Sequence, residues 1–221
     1  MDRIIRVTGK GKISIKPDTI RLNISLEDIR ETYEETLQQS SVQAELLKDC
    51  FIKLGFEGND LKTLYFNVDT EYESYQDRNK EWKRKFVGYK FTHRFKLDFS
   101  LDNERLGKVL YALAHCPIHP EFSIAYTVKD MEQCKNQLLG QAVVDSKQKA
   151  EILTQAAGMN LGQVITIDYS WGEMEIISRP MNRIMESCMV MEDCCESSYD
   201  MDIEPDDIDV TDTVTVVWSL A

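Results

Sequence analysis

The chain has 221 residues, 43% of them hydrophobic and 29% charged, and a formal net charge of −12. That length buries a core without disulfide staples, as one moderate domain or two small ones in close contact, and the acidity argues against nucleic acid or an anionic membrane as a partner. No stretch reaches the ~20 apolar residues of a membrane-spanning helix, so membrane insertion is not expected.

Arg3 to Lys16 alternates, with Ile5, Val7, Gly9, Gly11, Ile13 and Ile15 on one face, which is the period of a half-buried strand. Lys16-Pro17-Asp18 reads as a turn, and alternation resumes in Ile20, Leu22, Ile24 and Leu26. The first two strands are therefore expected to form an antiparallel hairpin. Gly9 and Gly11 fall where side chains should point inward. Glycine weakens a strand there unless something approaches closely; a neighbouring aromatic in the same core, or a second subunit, would account for both.

The period changes after Asp28. Tyr33, Leu37, Ser40, Ala44, Leu47, Phe51 and Leu54 make the stripe of an amphipathic helix, with Gly55 placed as its left-handed stop. Leu61–Tyr72 reads as a strand and the charged Gln76–Lys85 as a long hairpin loop. Val87, Tyr89, Phe91, His93, Phe95, Leu97 and Phe99 then give a long strand with one apolar face. A helix is expected over Asn103–Ala114, a strand over Phe122–Val128, and a long helix over Asp130–Ala157. On that helix Leu139, Val143, Ser146, Ala150, Leu153 and Ala157 form the stripe and Gly158 the stop. Val164–Tyr169 and Val210–Leu220 close the pattern as strands. Hairpins mixed with helices predict an α+β fold, helices laid on one face of antiparallel or mixed sheets. Two β-rich halves hint at a pseudo-repeat.

Few residues suggest chemistry. His93, between Phe91 and Phe95, reads as a buried, hydrogen-bonded histidine, since a general base needs a partner within reach. His115-Cys116-Pro117-Ile118-His119 sets a thiol between imidazoles, a combination that can activate a nucleophile, yet neighbours at a helix end rarely point at one another. The cysteines at 50, 116, 134, 188, 194 and 195 show no zinc spacing and read as free thiols. Trp171–Asp209 carries twelve acidic residues against two arginines, so the rest of the chain is close to neutral. That segment also holds six of the nine methionines and three cysteines. It reads as a flexible acidic insertion, with soft-metal or protein-partner binding as the alternative. No P-loop, GxGxxG, HExxH or GxSxG pattern occurs, and no catalytic, cofactor-binding or metal-ligating residue is assigned.

Three stretches together resemble the bacterial SIMPL-domain (DUF541) family. Val7-Thr8-Gly9-Lys10-Gly11 running to Lys16-Pro17-Asp18 is similar to its opening. Leu54-Gly55-Phe56 with Asp60-Leu61-Lys62-Thr63 is similar to its helix stop and strand entry. Lys149-Ala150-Glu151-Ile152-Leu153, Ala156-Ala157-Gly158 and Leu161-Gly162-Gln163-Val164 are similar to its late helix and exit. The resemblance covers roughly residues 3–170 and the final strand at 210–221, but not 171–209. It implies an α+β fold, assembly into large homo-oligomers, a loose association with stress responses, no settled reaction, and export to the envelope. Met1–Arg6 shows no secretory leader, which reads as a cytoplasmic protein, or as a periplasmic one already trimmed. The function expected is a non-enzymatic, self-assembling scaffold without a cofactor. A soluble metal- or partner-binding module using 171–209 is the alternative, and an enzyme built on Cys116 is third.

Overall fold

The computed structural model describes residues 3–169, 176–178 and 203–221. Their order is β1 (Ile4–Ile15), β2 (Thr19–Arg30), α1 (Tyr33–Ile52), β3 (Leu61–Gln76), β4 (Trp82–Ser100), α2 (Asn103–Ala114), β5 (Glu121–Thr127), α3 (Met131–Ala156), β6 (Leu161–Asp168), β7 (Ile177–Ser178) and β8 (Ile208–Leu220). The fold is α+β, with two antiparallel sheets. Contacts divide it into two compact units, neither of them a contiguous half of the chain: residues 3–18, 126–169, 176–178 and 205–221 form the first, and 19–125 with 203–204 the second.

In the first unit the strand order is β1-β8-β6. β1 pairs with β8 along its whole length, from Ile4 opposite Ser219 to Ile15 opposite Ile208. The hairpin expected between β1 and β2 does not form. The Lys16–Asp18 corner is instead held by the chain entering α3. The Asp18 amide donates to the Thr127 carbonyl at 3.2 Å, and the Asp18 carboxylate accepts from the Lys129 amide at 2.8 Å. These bonds satisfy the corner's polar groups without a returning strand.

Helix α3 lies on β1 and β8, and glycine decides how closely. A Cβ built on Gly9 would overlap the Ala142 carbonyl oxygen and sit 2.7 Å from Ser146 Cβ, and one on Gly11 would overlap the Leu138 carbonyl. The close neighbour is therefore the backbone of a helix in the same unit, neither an aromatic ring nor a second subunit. The buried stripe of α3 follows from this. It is Leu138, Ala142, Ser146, Ala150 and Thr154, spaced by four and small where the glycines are. The larger stripe expected from sequence is displaced: Leu139 and Val143 are half-buried and Leu153 is exposed. Ser146 also donates its hydroxyl to the Val7 carbonyl at 3.3 Å. Val7, Val214, Val216 and Trp218 fill one cluster with Ala142 and Ala150; Ile13, Val128, Leu138, Ile176, Ile208 and Val210 fill a second.

In the second unit β4 is central, pairing with β2 from Thr19–Ser100 to Arg30–Tyr89 and with β3 from Leu61 to Gln76. Ile20, Leu22, Ile24 and Leu26 of β2 and Phe91, Phe95, Leu97 and Phe99 of β4 are buried, as their alternation predicts. Helix α1 packs on β2 and β4. It starts from a capping box in which the Thr32 hydroxyl oxygen accepts from the Glu35 amide and the Glu35 carboxylate accepts from the Thr32 amide. It stops at Gly55, where φ is +81° and only glycine is unstrained. The Phe56 amide then closes onto the Phe51 carbonyl at 3.1 Å, and its ring packs edge-on to Phe51 and Phe99.

Gly9→Ala and Gly11→Ala should each destabilise the protein by about 2 kcal/mol or more, because the added methyl meets helix backbone that cannot step aside. Gly140→Ala, at an α3 position where a Cβ meets nothing within 4 Å, should stabilise by up to about 1 kcal/mol through helix propensity alone. Urea midpoints measure both. Equal effects at positions 9 and 140 would show that α3 does not press on β1.

Candidate functional site

The pairing of β2 with β4 ends at Arg30 opposite Tyr89, while β3 and β4 remain paired from Tyr72–Phe86 to Gln76–Trp82. Beyond β2, therefore, two strands run on as a ribbon about 20 Å long. Of the segment expected to be a loop from Gln76 to Lys85, the turn at 77–81 is loop, while Gln76 and 82–85 are strand. The Asp77 amide donates to the Glu81 carbonyl at 2.9 Å, and the Asp77 carboxylate accepts from the Asn79 and Glu81 amides and from the Lys83 ammonium at 2.5 Å. The Lys83 bond, then the Glu81 amide, hold the Asp77 carboxyl below the usual carboxylate range. Lys80 supplies the left-handed residue of the turn at φ +64°.

A bulge decides which way the ribbon's side chains point. Glu71 lies opposite Gly88 and Tyr72 opposite Phe86, so Val87 is the extra residue. Gly88 sits against the last residue of β2, where a Cβ would overlap the Arg30 carbonyl. The extra residue brings Phe86 to the face that carries Tyr89. Edge-on contacts then run from Tyr33 at the start of α1 to Tyr89 at 5.6 Å, to Phe86 at 5.4 Å and to Tyr72 at 5.6 Å. The Arg84 guanidinium lies 5.1 Å from the Tyr72 ring centre. Trp82 and Arg84 share the face of Phe86 by alternation. The aromatic face that α1 covers over the sheet thus continues onto the ribbon, where Tyr72 and Phe86 are each 43% exposed and Trp82 73%. The opposite face is charged, with Glu73 facing Lys85.

The residues singled out by type lie elsewhere. His93 is half-buried between a hydroxyl at each ring nitrogen, Ser40 at 3.3 Å and Thr63 at 3.1 Å. A neutral imidazole donates to one and accepts from the other. Phe95 and Phe66 flank the ring, with centres 3.9 and 5.0 Å away. Neither partner is a carboxylate, and with a hydroxyl at each nitrogen and a ring on either side the imidazole is held in place. In the His115–His119 motif, His115 turns back to place Nδ1 2.8 Å from the Tyr111 carbonyl and its ring on Tyr111. The buried Cys116 thiol faces Cys50, with the sulfurs 3.3 Å apart. Imidazole and thiol are not brought together as a nucleophile pair. Cys188, Cys194, Cys195 and most of the acidic Trp171–Asp209 stretch lie outside the described residues. Of that stretch Ile176 is buried, and its carbonyl accepts from the Thr127 hydroxyl at 2.7 Å, where β7 pairs with the end of β5. Among the described residues no three His, Cys, Asp or Glu side chains gather as metal ligands.

Comparison with known proteins agrees with the motifs at the two helix stops and in β1. The SIMPL family, whose members are described as proteins of unknown function (DUF541), matches residues 5–218. The chain belongs to the SIMPL family. The match runs through Trp171–Asp209, which the sequence motifs left uncovered. Two similar proteins are each named 26 kDa periplasmic immunogenic protein, one from Brucella melitensis at 25% identity and one from Brucella abortus at 24%, both over 163 residues. The alignments cover 74% of this chain and 65% of each relative, so the chain spans less than two thirds of their length. The glycines of this chain's motifs have physical roles: Gly9 and Gly11 admit α3, Gly55 and Gly158 take positive φ at helix stops, and Gly162 lets β6 approach Ser219.

Burial, and then the charge of Lys48, hold the His93 imidazole below its ordinary value. The folded state thus prefers neutral His93, whereas the unfolded chain takes up a proton near pH 6.5. Stability should fall as pH drops from about 6.5 toward the lowered folded value. His93→Gln should lose less stability over that interval than the parent, measured by urea midpoints at successive pH values. Parallel profiles would mean that His93 titrates alike in both states.

Proposed function

We propose that this SIMPL protein is a non-enzymatic scaffold that assembles with copies of itself, the β3–β4 ribbon of one copy seated on the surface of another. The observation that carries this reading is the aromatic face of the ribbon. A two-stranded ribbon is marginal alone in water, and this one presents Tyr72, Phe86, Trp82 and Arg84 on one side. Tryptophan, tyrosine and arginine dominate the energetics of protein interfaces. β3 is also the outer strand of its sheet, and an outer strand of 16 residues offers a row of backbone donors and acceptors for pairing.

Charge favours a second copy as the occupant. From Asp77 to Lys85 the ribbon tip carries five basic residues against two acidic ones, on a chain of net charge −12. A basic tip approaching an acidic copy of the same chain is attracted, and the attraction weakens with salt. Both relatives are named as periplasmic proteins, and the periplasm is the compartment proposed here. No helix among the described residues is long and apolar enough to cross a membrane.

Size exclusion with light scattering tests the proposal on the reduced 221-residue chain. The parent should elute as a discrete multiple of 25.6 kDa. Trp82→Ser/Phe86→Ser should keep its circular dichroism and lose mass, since truncating a buried aromatic anchor costs about 2 kcal/mol or more, roughly thirtyfold in affinity. A parent that stays at the mass of one chain at every soluble concentration would remove the scaffold reading. A double variant that keeps the parent mass would remove the ribbon from the interface.

A further inference from the structure

Cys50, in the last turn of α1, and Cys116, in the turn that follows α2, are separated by 66 positions and brought to a sulfur–sulfur distance of 3.3 Å within one unit. We infer that these two thiols are a disulfide-forming pair that staples the end of α1 to the end of α2. A thiol is a weak donor and a weak acceptor, so the pair gains little from hydrogen bonding. Both sides are fixed by neighbouring structure: Phe51, next to Cys50, is buried against Phe56, and the Cys116 amide donates to the Leu113 carbonyl at 3.1 Å while its carbonyl accepts from His119. The sulfurs have only about 1.3 Å to close to reach bonding distance, within reach of small side-chain rotations.

The oxidant is a small-molecule or protein disulfide. Cys50, the half-exposed member, loses its proton and its thiolate attacks one sulfur of the incoming disulfide. That bond breaks, one thiol leaves carrying the proton, and a mixed disulfide remains on Cys50. The Cys116 thiolate then attacks the Cys50 sulfur, expelling the second thiol with the proton Cys116 gave up. Two protein thiols are oxidised and one disulfide is reduced to two thiols. Burial, and then the bond to Cys116, push the Cys50 thiol up to about 11, so the folded protein reacts slowly at neutral pH and faster as pH rises. The staple closes a long loop, which is the arrangement that restricts an unfolded chain most. Cys134, a third free cysteine among the described residues, lies in the other unit.

The 221-residue protein is incubated with oxidised glutathione, unreacted thiols are alkylated, and tryptic peptides are read by mass spectrometry without reduction. The expected product joins Asp49–Lys53 to Val109–Lys129, lighter than the two separate peptides by two hydrogens. The oxidised protein should melt several degrees higher, reversibly on reduction, with the rate of linkage rising about tenfold per pH unit above neutrality. Cys50→Ser and Cys116→Ser should each abolish that linked peptide and the reversible shift. Recovery of both peptides alkylated after oxidation, or of Cys50 joined to any cysteine other than Cys116, would overturn the assignment. The peptide map of the parent decides this even if a variant folds poorly.

Discussion

Two glycines on β1 let the backbone of α3 come closer to a sheet than side chains would permit, and the first unit is arranged around that contact. Once α3 lies on Gly9 and Gly11, the middle of its buried stripe must be small, which is why Ala142, Ser146 and Ala150 stand there. The larger side chains flank the contact, with Leu138 and Ile13 on one side of it and Trp218, Val216 and Val7 on the other. β8 joins β1 over twelve consecutive residues, so the last strand of the chain completes the sheet that the first one begins.

The second unit rests on a different principle, large side chains meeting across a sheet and a helix. Phe91, Phe95, Leu97 and Phe99 meet Ile20, Leu22, Ile24 and Leu26 under α1, and all eight are buried. The apolar stripe does not stop where the helix begins. Because Val87 is the extra residue of a bulge, the aromatic face carries past Tyr89 to Phe86 and Tyr72 instead of flipping to the opposite side. One face of one strand thus serves as core along β2 and as surface beyond it. The edge-on rings cover one another in part, which lowers the cost of their exposure without removing it.

Much of the site was hidden in the sequence for identifiable reasons. The charged residues at 82–85 look like a continuation of the loop because a ribbon exposed on both faces has no hydrophobic alternation to announce it. The signal that could have revealed it was weaker: aromatics at Tyr72 and Tyr75 and at Trp82 and Phe86, on either side of the turn-forming Asp77 and Asn79. The Cys116 motif was read through its sequence neighbours, whereas the thiol's partner came from α1, 66 positions away. His93 was legible as a hydrogen-bonded histidine, though its partners, Ser40 and Thr63, could not be picked from the many hydroxyls in the chain.

The sequence by itself determined the element types, the α2 boundaries at Asn103 and Ala114, the helix stops at Gly55 and Gly158, the alternation of β1, β2 and β4, and the SIMPL resemblance. These rest on local periods and on backbone conformations that one residue type adopts without strain. Tertiary structure alone decided that β1 pairs with β8 and not β2, that α3 turns its small residues inward, and that two distant thiols meet. Each of those is a choice between partners far apart in the chain, settled by which surfaces fit at close range. A local pattern carries no record of its partner.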